Sequence, residues 1–141
     1  MDTLNFLPEE DQTFLRERNI AHQLLTEQVA GEARRGIAFL NIEIPSGLCH
    51  QQGGALVAGG YASVLVLIPK GYSKTRLDSW YVDPPLVQAD GKSIDRATGL
   101  QPLFGKDWQF WSRHLTDQEW RSDVDGLETY LQYIRAGLRD I

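Results

Sequence analysis

Between Tyr61 and Leu86 the chain lays down a strand, a turn, a second strand and two consecutive prolines, and this order of punctuation limits the architecture more than any other stretch. Ala62-Ser-Val-Leu-Val-Leu-Ile68 is an apolar run rich in β-branched residues, too short to cross a membrane and bounded by Gly59-Gly60 and Pro69, so it reads as a buried strand. Lys70-Gly-Tyr-Ser73 is a turn, a polar run follows to Asp78, and Ser79-Trp-Tyr-Val82 reads as the second strand. Asp83-Pro-Pro85 ends it, because proline has no amide hydrogen to give to a ladder.

A first helix begins at Pro8, with Leu7 ahead of it and Phe14 and Leu15 on its buried side. Glu9, Glu10 and Asp11 fall in its first turn, where they meet the positive end of the helix dipole. Strands are expected at about Ile20 to Val29 and Gly36 to Ile44, the latter alternating Ile37, Phe39 and Asn41 against Ala38, Leu40 and Ile42. With the two strands above they make a four-stranded antiparallel meander. The Gly-rich stretch from Gly47 to Gly60, containing Gln51-Gln52 and Gly53-Gly54, reads as a mobile loop between the second and third strands. Near the C-terminus Val124, Leu127, Leu131, Ile134 and Leu138 recur at spacings of three and four, predicting an amphipathic packing helix that Ser122 or Asp123 caps. The class is α+β, one domain over residues 1–141 with no repeat and no linker.

Trp108-Gln-Phe-Trp-Ser-Arg-His114, with Trp120 beyond it, holds three of the four tryptophans and sets a hydroxyl, a guanidinium and an imidazole among bulky aromatics. Large rings fix the polar groups between them, and burying such a trio is costly unless it is used. Ser112, Arg113 and His114 are therefore the candidate catalytic residues. A serine hydroxyl is a weak nucleophile until a base takes its proton, and an imidazole, which titrates near neutrality, is the natural base. Side chains two residues apart diverge on a helix and point the same way on an extended backbone, so the pair requires a non-helical segment, with Arg113 facing a carboxylate or a partner. The structural alternatives are a helix-capping or passive Ser112, a His114 that holds a backbone carbonyl, and an Arg113 paired with Asp117 or Glu119. Asp78 and Asp83 flank the strand leading to this segment and either orient a substrate amine or stay solvated in loops.

Leu7-Pro-Glu-Glu, Ile68-Pro-Lys-Gly-Tyr72, Trp80-Tyr-Val-Asp-Pro-Pro85, the Trp108–His114 segment, and Trp120 with Asp123 to Leu131 together resemble, over nearly the whole chain, the bacterial E2-like proteins called prokaryotic E2 family E. In the ubiquitin-conjugating (E2) fold the third strand ends in a Pro-x-x-Tyr-Pro turn and the next leads through prolines to the active-site loop. The resemblance implies an E2/UBC-like fold: N-terminal helix, four-stranded meander, active-site loop and C-terminal helix. It implies an acyl carrier, a transferase that accepts the C-terminal glycine of a ubiquitin-like protein from an E1-like enzyme and passes it to an acceptor. A metallo-isopeptidase from the same gene set is a further implied partner. Because the first helix of E2 enzymes meets the E1, Glu9, Gln12, Arg16 and Glu17 are expected on a partner surface.

The departures from ordinary E2 enzymes bear directly on the chemistry. A conventional E2 carries His-Pro-Asn shortly before its nucleophilic Cys, whereas the asparagines here are Asn5, Asn19 and Asn41, and the single Cys is Cys49, in the expected loop. Trp120 resembles the Trp that follows the catalytic Cys, and counting back from it puts the nucleophile position at or very near Ser112, which makes Ser112 the candidate. The resemblance then gives Ser112 the acyl group as an oxyester, His114 the role of general base and acid, and backbone amides or Arg113 the oxyanion. Cys49 beside His50 is expected to be a thiol without a catalytic role. Two other readings stay open: a catalytically inert E2 variant that binds a ubiquitin-like protein or the E1 as an adaptor, and an unrelated α+β interaction domain.

Composition narrows the field further. A net charge of −5 argues against nucleic acid as a partner, since binding phosphates needs a basic face. There is no signal peptide and no apolar stretch of membrane length, and one Cys cannot form an intramolecular disulfide, so a cytoplasmic protein without membrane contact is expected. No metal-ligand spacing stands out, and neither Gly53-Gly54 nor Gly59-Gly60 leads into a phosphate-loop pattern, so neither metal nor cofactor is expected.

Overall fold

The computed structural model describes residues 6–115 and 118–141 of the chain. Helix α1 spans Glu9–Glu17, with Pro8 at its N-cap, Leu15 buried and Phe14 packed against the core. Strands β1 (His22–Val29) and β2 (Glu32–Glu43) form a hairpin, followed by β3 (Leu48–Gln52), β4 (Ala55–Ala58) and β5 (Tyr61–Leu67). Then come β6 (Trp80–Asp83), β7 (Val87–Gln88), β8 (Gly99–Leu103) and β9 (Lys106–Trp111), and α2 (Leu127–Arg139) completes the fold.

The class is α+β. The four strands expected from the sequence stand side by side as β1-β2-β5-β6, and β9 and β8 extend them into a six-stranded sheet, antiparallel at every step. A second sheet, ordered β4-β3-β7, replaces the mobile loop expected over residues 47–60. Gly53 (φ 60°) and Gly54 (φ 84°) form a tight two-residue turn that lets Gln51 pair with Leu56 and His50 with Val57. A glycine-rich hairpin and a glycine-rich loop share a composition, and only the cross-strand pairing separates them.

The large sheet buries both faces. On one, Ile37, Phe39, Val64, Val66, Trp80, Val82 and Trp111 pack against Leu127, Leu131, Ile134 and Leu138 of α2 and Leu15 of α1. On the other, Ala38, Leu65, Tyr81, Leu103 and Trp108 are covered by Leu25, Leu40, Leu67, Phe104 and Phe110. The sheet curls so that the Phe104 amide, in the β8–β9 turn, donates to Glu27 on β1 (3.1 Å), which also receives Arg34 (2.9 Å). The ring of Phe104 sits over Gly36 of β2, where a Cβ would stand 3.1 Å from it.

Two details of the sequence reading change. The alternation along β2 breaks at a bulge between Phe39 and Ile42, where Asn41 takes φ 57°, so Ile42 and Ile44 join the face of Ile37 and Phe39 instead of opposing it. Helix α2 starts at Leu127, and neither Ser122 nor Asp123 caps it: the Ser122 hydroxyl donates to the Lys74 carbonyl, and Val124 is exposed. The cap comes from α1. Buried Asp11 accepts the Leu127 amide (3.0 Å) through one carboxylate oxygen and the Tyr72 hydroxyl (2.6 Å) through the other. Thr129 Oγ1 accepts the Gly126 amide and donates to its carbonyl. Burial pushes the Asp11 carboxyl above the usual range, against the opposing pull of Tyr72 and the Leu127 amide.

Candidate active site

The site grows from the β6–β9 pairing, in which Trp80 faces Trp111. Continued one step outward, that register brings residue 79 level with residue 112, and Ser79 fastens the two strand ends together. Its amide donates to the Arg113 carbonyl (2.8 Å), and its hydroxyl donates to the same carbonyl (3.0 Å) while accepting the Arg113 amide (3.1 Å). The Ser79 carbonyl accepts the Tyr130 hydroxyl from α2 (2.7 Å), and Ser79 itself takes φ 57°. Beneath the clamp Trp80 stacks on Trp111 (centroids 5.9 Å apart), both rings fully buried. The segment after Trp111 leaves the sheet without becoming helical. That is the condition under which residues 112 and 114 reach the same side.

They do. The Ser112 hydroxyl lies 3.1 Å from His114 Nε2, and His114 Nδ1 lies 2.6 Å from Asp78 Oδ1. A carboxylate can only accept, so the ring proton belongs on Nδ1, and in the neutral imidazole this leaves the Nε2 lone pair for the Ser112 proton. Asp78 and His114 sit 36 residues apart in sequence and about half exposed, at 51% and 53% of their side-chain surfaces. Asp78 is one of the two carboxylates that flank residues 80–82 of β6. The other, Asp83, is engaged elsewhere, by Lys106 Nζ at 2.7 Å.

Arg113 turns away from this pair. Its guanidinium lies over the Trp111 ring (5.0 Å) and donates to the carbonyls of Asp95 (3.1 Å), Arg96 (3.4 Å) and Ser112 (2.9 Å). Partial burial and neighbouring Arg96 lower its pKa. In this arrangement Arg113 ties the 95–96 turn to the site, and the Ser112 amide strengthens the tie by donating to the Arg96 carbonyl (2.9 Å). The alternative pairing with Asp117 lies outside the described residues.

The aromatics divide between the two faces of the sheet rather than forming one cluster. Trp80, Trp111 and Trp120 belong to the helix-side core, whereas Trp108 lies on the opposite face, donating to the Leu103 carbonyl (3.1 Å) beneath the Lys106 ammonium. Gln109, inside the same motif, is buried and structural: it bonds both polar groups of Leu86, the Ala97 carbonyl and the Trp111 indole. One residue past His114, Leu115 begins a cavity of about 200 Å³ whose walls include Trp120, Tyr130 and Tyr133, with Glu119, Arg121 and Asp125 at its polar side. Cys49 lies in β3, in the smaller sheet, buried opposite Ala58 and Val87.

Sequence reasoning missed three contributors: Asp78 as the partner of His114, Ser79 as the clamp, and Tyr130 as its support. None carries a local signal, since each acts across strand pairing or from a helix far along the chain. Among the described residues no group of His, Cys, Asp and Glu is arranged to hold a metal ion, and no helix is long and apolar enough to cross a membrane. A family model described as prokaryotic E2 family E matches residues 7–140. No curated protein and no solved structure matches the chain.

Proposed function

The chain belongs to the prokaryotic E2 family E, and from that premise we propose that it carries the C-terminal acyl group of a ubiquitin-like protein on Ser112, receiving it from an E1-like enzyme and passing it to an acceptor. The membership sets aside an unrelated interaction domain. The observation that supports the chemistry is the 3.1 Å contact between the Ser112 hydroxyl and His114 Nε2. As the hydroxyl oxygen attacks the incoming thioester carbonyl, its proton passes to Nε2; the imidazolium then protonates the departing thiolate of the E1. The product is a serine oxyester. Arg113 has its guanidinium on the carbonyls of Asp95, Arg96 and Ser112, so its part in this reading is to hold the Ser112 backbone and not to meet the oxyanion. The cavity that starts at Leu115, one residue past His114, is the place this reading gives to an acceptor.

With E1, ATP and the matching ubiquitin-like protein, the wild-type chain forms an adduct that survives thiol reductant and is cleaved by hydroxylamine. Ser112→Ala abolishes it, and Ser112→Cys converts it to a reductant-sensitive one. His114→Ala slows the serine form by roughly 10²–10⁴ and the cysteine form far less, because a thiol ionises without a base. A folded protein that binds both partners and never forms an adduct refutes the carrier reading. What would remain is an inert adaptor, a reading favoured by one observation: the Ser112 and Arg113 amides are already bonded to Arg96 and Ser79, and so are not free to serve an oxyanion.

A further inference from the structure

From the Asp78–His114–Ser112 geometry we infer a second activity: the chain alone, without E1 or ATP, is acylated at Ser112 by activated esters of short carboxylic acids and slowly hydrolyses the acyl-serine. The inference rests on the same nucleophile as the carrier reading but not on any partner. Three observations support it. The three side chains are joined in series, at 2.6 Å and 3.1 Å, in the order carboxylate, imidazole, hydroxyl, so Asp78 fixes the ring orientation and tautomer that leave Nε2 facing the hydroxyl. Both strand ends that carry them are pinned by the Ser79 clamp, so the alignment exists before any substrate arrives. Finally, about half of the His114 and Asp78 side chains is open to solvent, which gives a small ester or water access to the imidazole.

The chemistry balances with water as co-reactant. The Oγ–C bond forms as the hydroxyl proton moves to Nε2, the ester C–O bond breaks, and the alcohol or phenol leaves with that proton. Water then attacks the acyl-serine, gives its proton to Nε2, and the acid leaves as Ser112 takes the proton back. In this relay Ser112 and His114 are catalytic residues and Asp78 is a positioning residue.

The experiment uses the full chain with two probes, p-nitrophenyl acetate and an alkyl fluorophosphonate, read by nitrophenolate release, intact mass and peptide mapping. The expected result is one acetyl or phosphonyl group per chain, on Ser112, absent in Ser112→Ala and slowed roughly 10²–10⁴-fold in His114→Ala. Asp78→Ala slows labelling roughly 10–100-fold, less than in a buried relay because solvent screens the pair. Asp78→Glu recovers part of the loss. Imidazole ¹⁵N spectra supply a readout that a purely structural carboxylate would not move: the wild type shows the Nδ1–H form and Asp78→Ala shifts toward Nε2–H. Labelling no faster than in Ser112→Ala, labelling at another residue, or an Asp78→Ala protein with unchanged rate and tautomer overturns the inference. The two proposals fail separately, since a chain that reacts with probes but takes no acyl group from E1 refutes only the carrier, and the reverse refutes only this activity.

Discussion

Replacing Asp11 tests how far α1 and α2 depend on one buried carboxylate. In Asp11→Ala the Leu127 amide loses its acceptor, a capping loss of about 1 kcal/mol. The half-buried Tyr72 hydroxyl loses its partner as well, at the low end of the roughly 1–3 kcal/mol range for an unsatisfied polar group. Relief from keeping a carboxylate out of water offsets part of this, leaving a net cost of about 1.5 kcal/mol. At a urea slope of about 1.5 kcal/mol per molar the unfolding midpoint falls by roughly 1 M. Asp11→Asn keeps the oxygen that accepts Leu127 and turns an amide toward Tyr72 Oη, so it loses under about 1 kcal/mol. The pH dependence has a definite sign. Burial raises the folded-state pKa of Asp11 above its ordinary 3.8, so the folded protein holds the proton more tightly. The associated stability is fully present below about pH 3.8 and is lost as pH rises through the raised folded value. Asn has no such proton, so wild type gains on Asp11→Asn as the solution is acidified from pH 7 toward pH 4. Urea titrations followed by tryptophan fluorescence at several pH values measure both effects. Asp11→Ala within 0.5 kcal/mol of wild type, or a gap between wild type and Asn that does not change with pH, refutes the assignment.

A methyl group at Gly137 would stand 2.6 Å from Cη2 of Trp80, whose ring is held by Trp111, Tyr130 and Tyr133; Gly137→Ala therefore loses about 1 kcal/mol or more in thermal or urea unfolding, despite the better helix propensity of Ala, and a stabilised variant would contradict the packing. Cys49→Ala costs about 1 kcal/mol, because the thiol is buried in β3 rather than idle in a loop, and it leaves the Ser112 adduct unchanged; loss of the adduct in folded protein would move the site. Arg16→Glu with Glu17→Lys, both on the exposed side of α1, weakens E1 association in a pull-down titration and changes stability by less than about 0.5 kcal/mol; unchanged binding would place the interface elsewhere. Gln12 is left out of that pair because its amide is tied to the Leu7 carbonyl (2.7 Å).

What was legible in the sequence follows from the range of the interactions involved. The spacing of Leu127, Leu131, Ile134 and Leu138 specified α2 because a helix writes its buried face in its own residues. The Ser112–His114 contact was legible for a similar reason, two residues on one side of an extended segment. Asp78 was visible as a carboxylate near the site but not as the partner of His114, because that contact depends on the β6–β9 register and on the turn of the backbone at Ser79. The same limit hid the Asp11 cap, which crosses 116 positions, and the β3–β4 hairpin, whose glycines and glutamines carry no periodic apolar signal. The bulge at Asn41 defeated the alternation argument directly, since one extra residue inverts which side chains face the helices.

The curl of the large sheet has a bearing on how copies of this protein behave toward one another. An open antiparallel sheet ends in two strands, here β1 and β8, whose outer backbone groups invite a strand from another molecule. The curl draws these two ends toward each other, with Phe104 bonded to Glu27 and its ring resting where Gly36 has no side chain. A bulkier residue at position 36 would crowd Leu65 and the Phe104 ring and push the β8–β9 turn off β1. The absent side chain at Gly36 therefore holds the curl in place, and its replacement by Val, by loosening that curl, is expected to show first as oligomers in light scattering at high protein concentration.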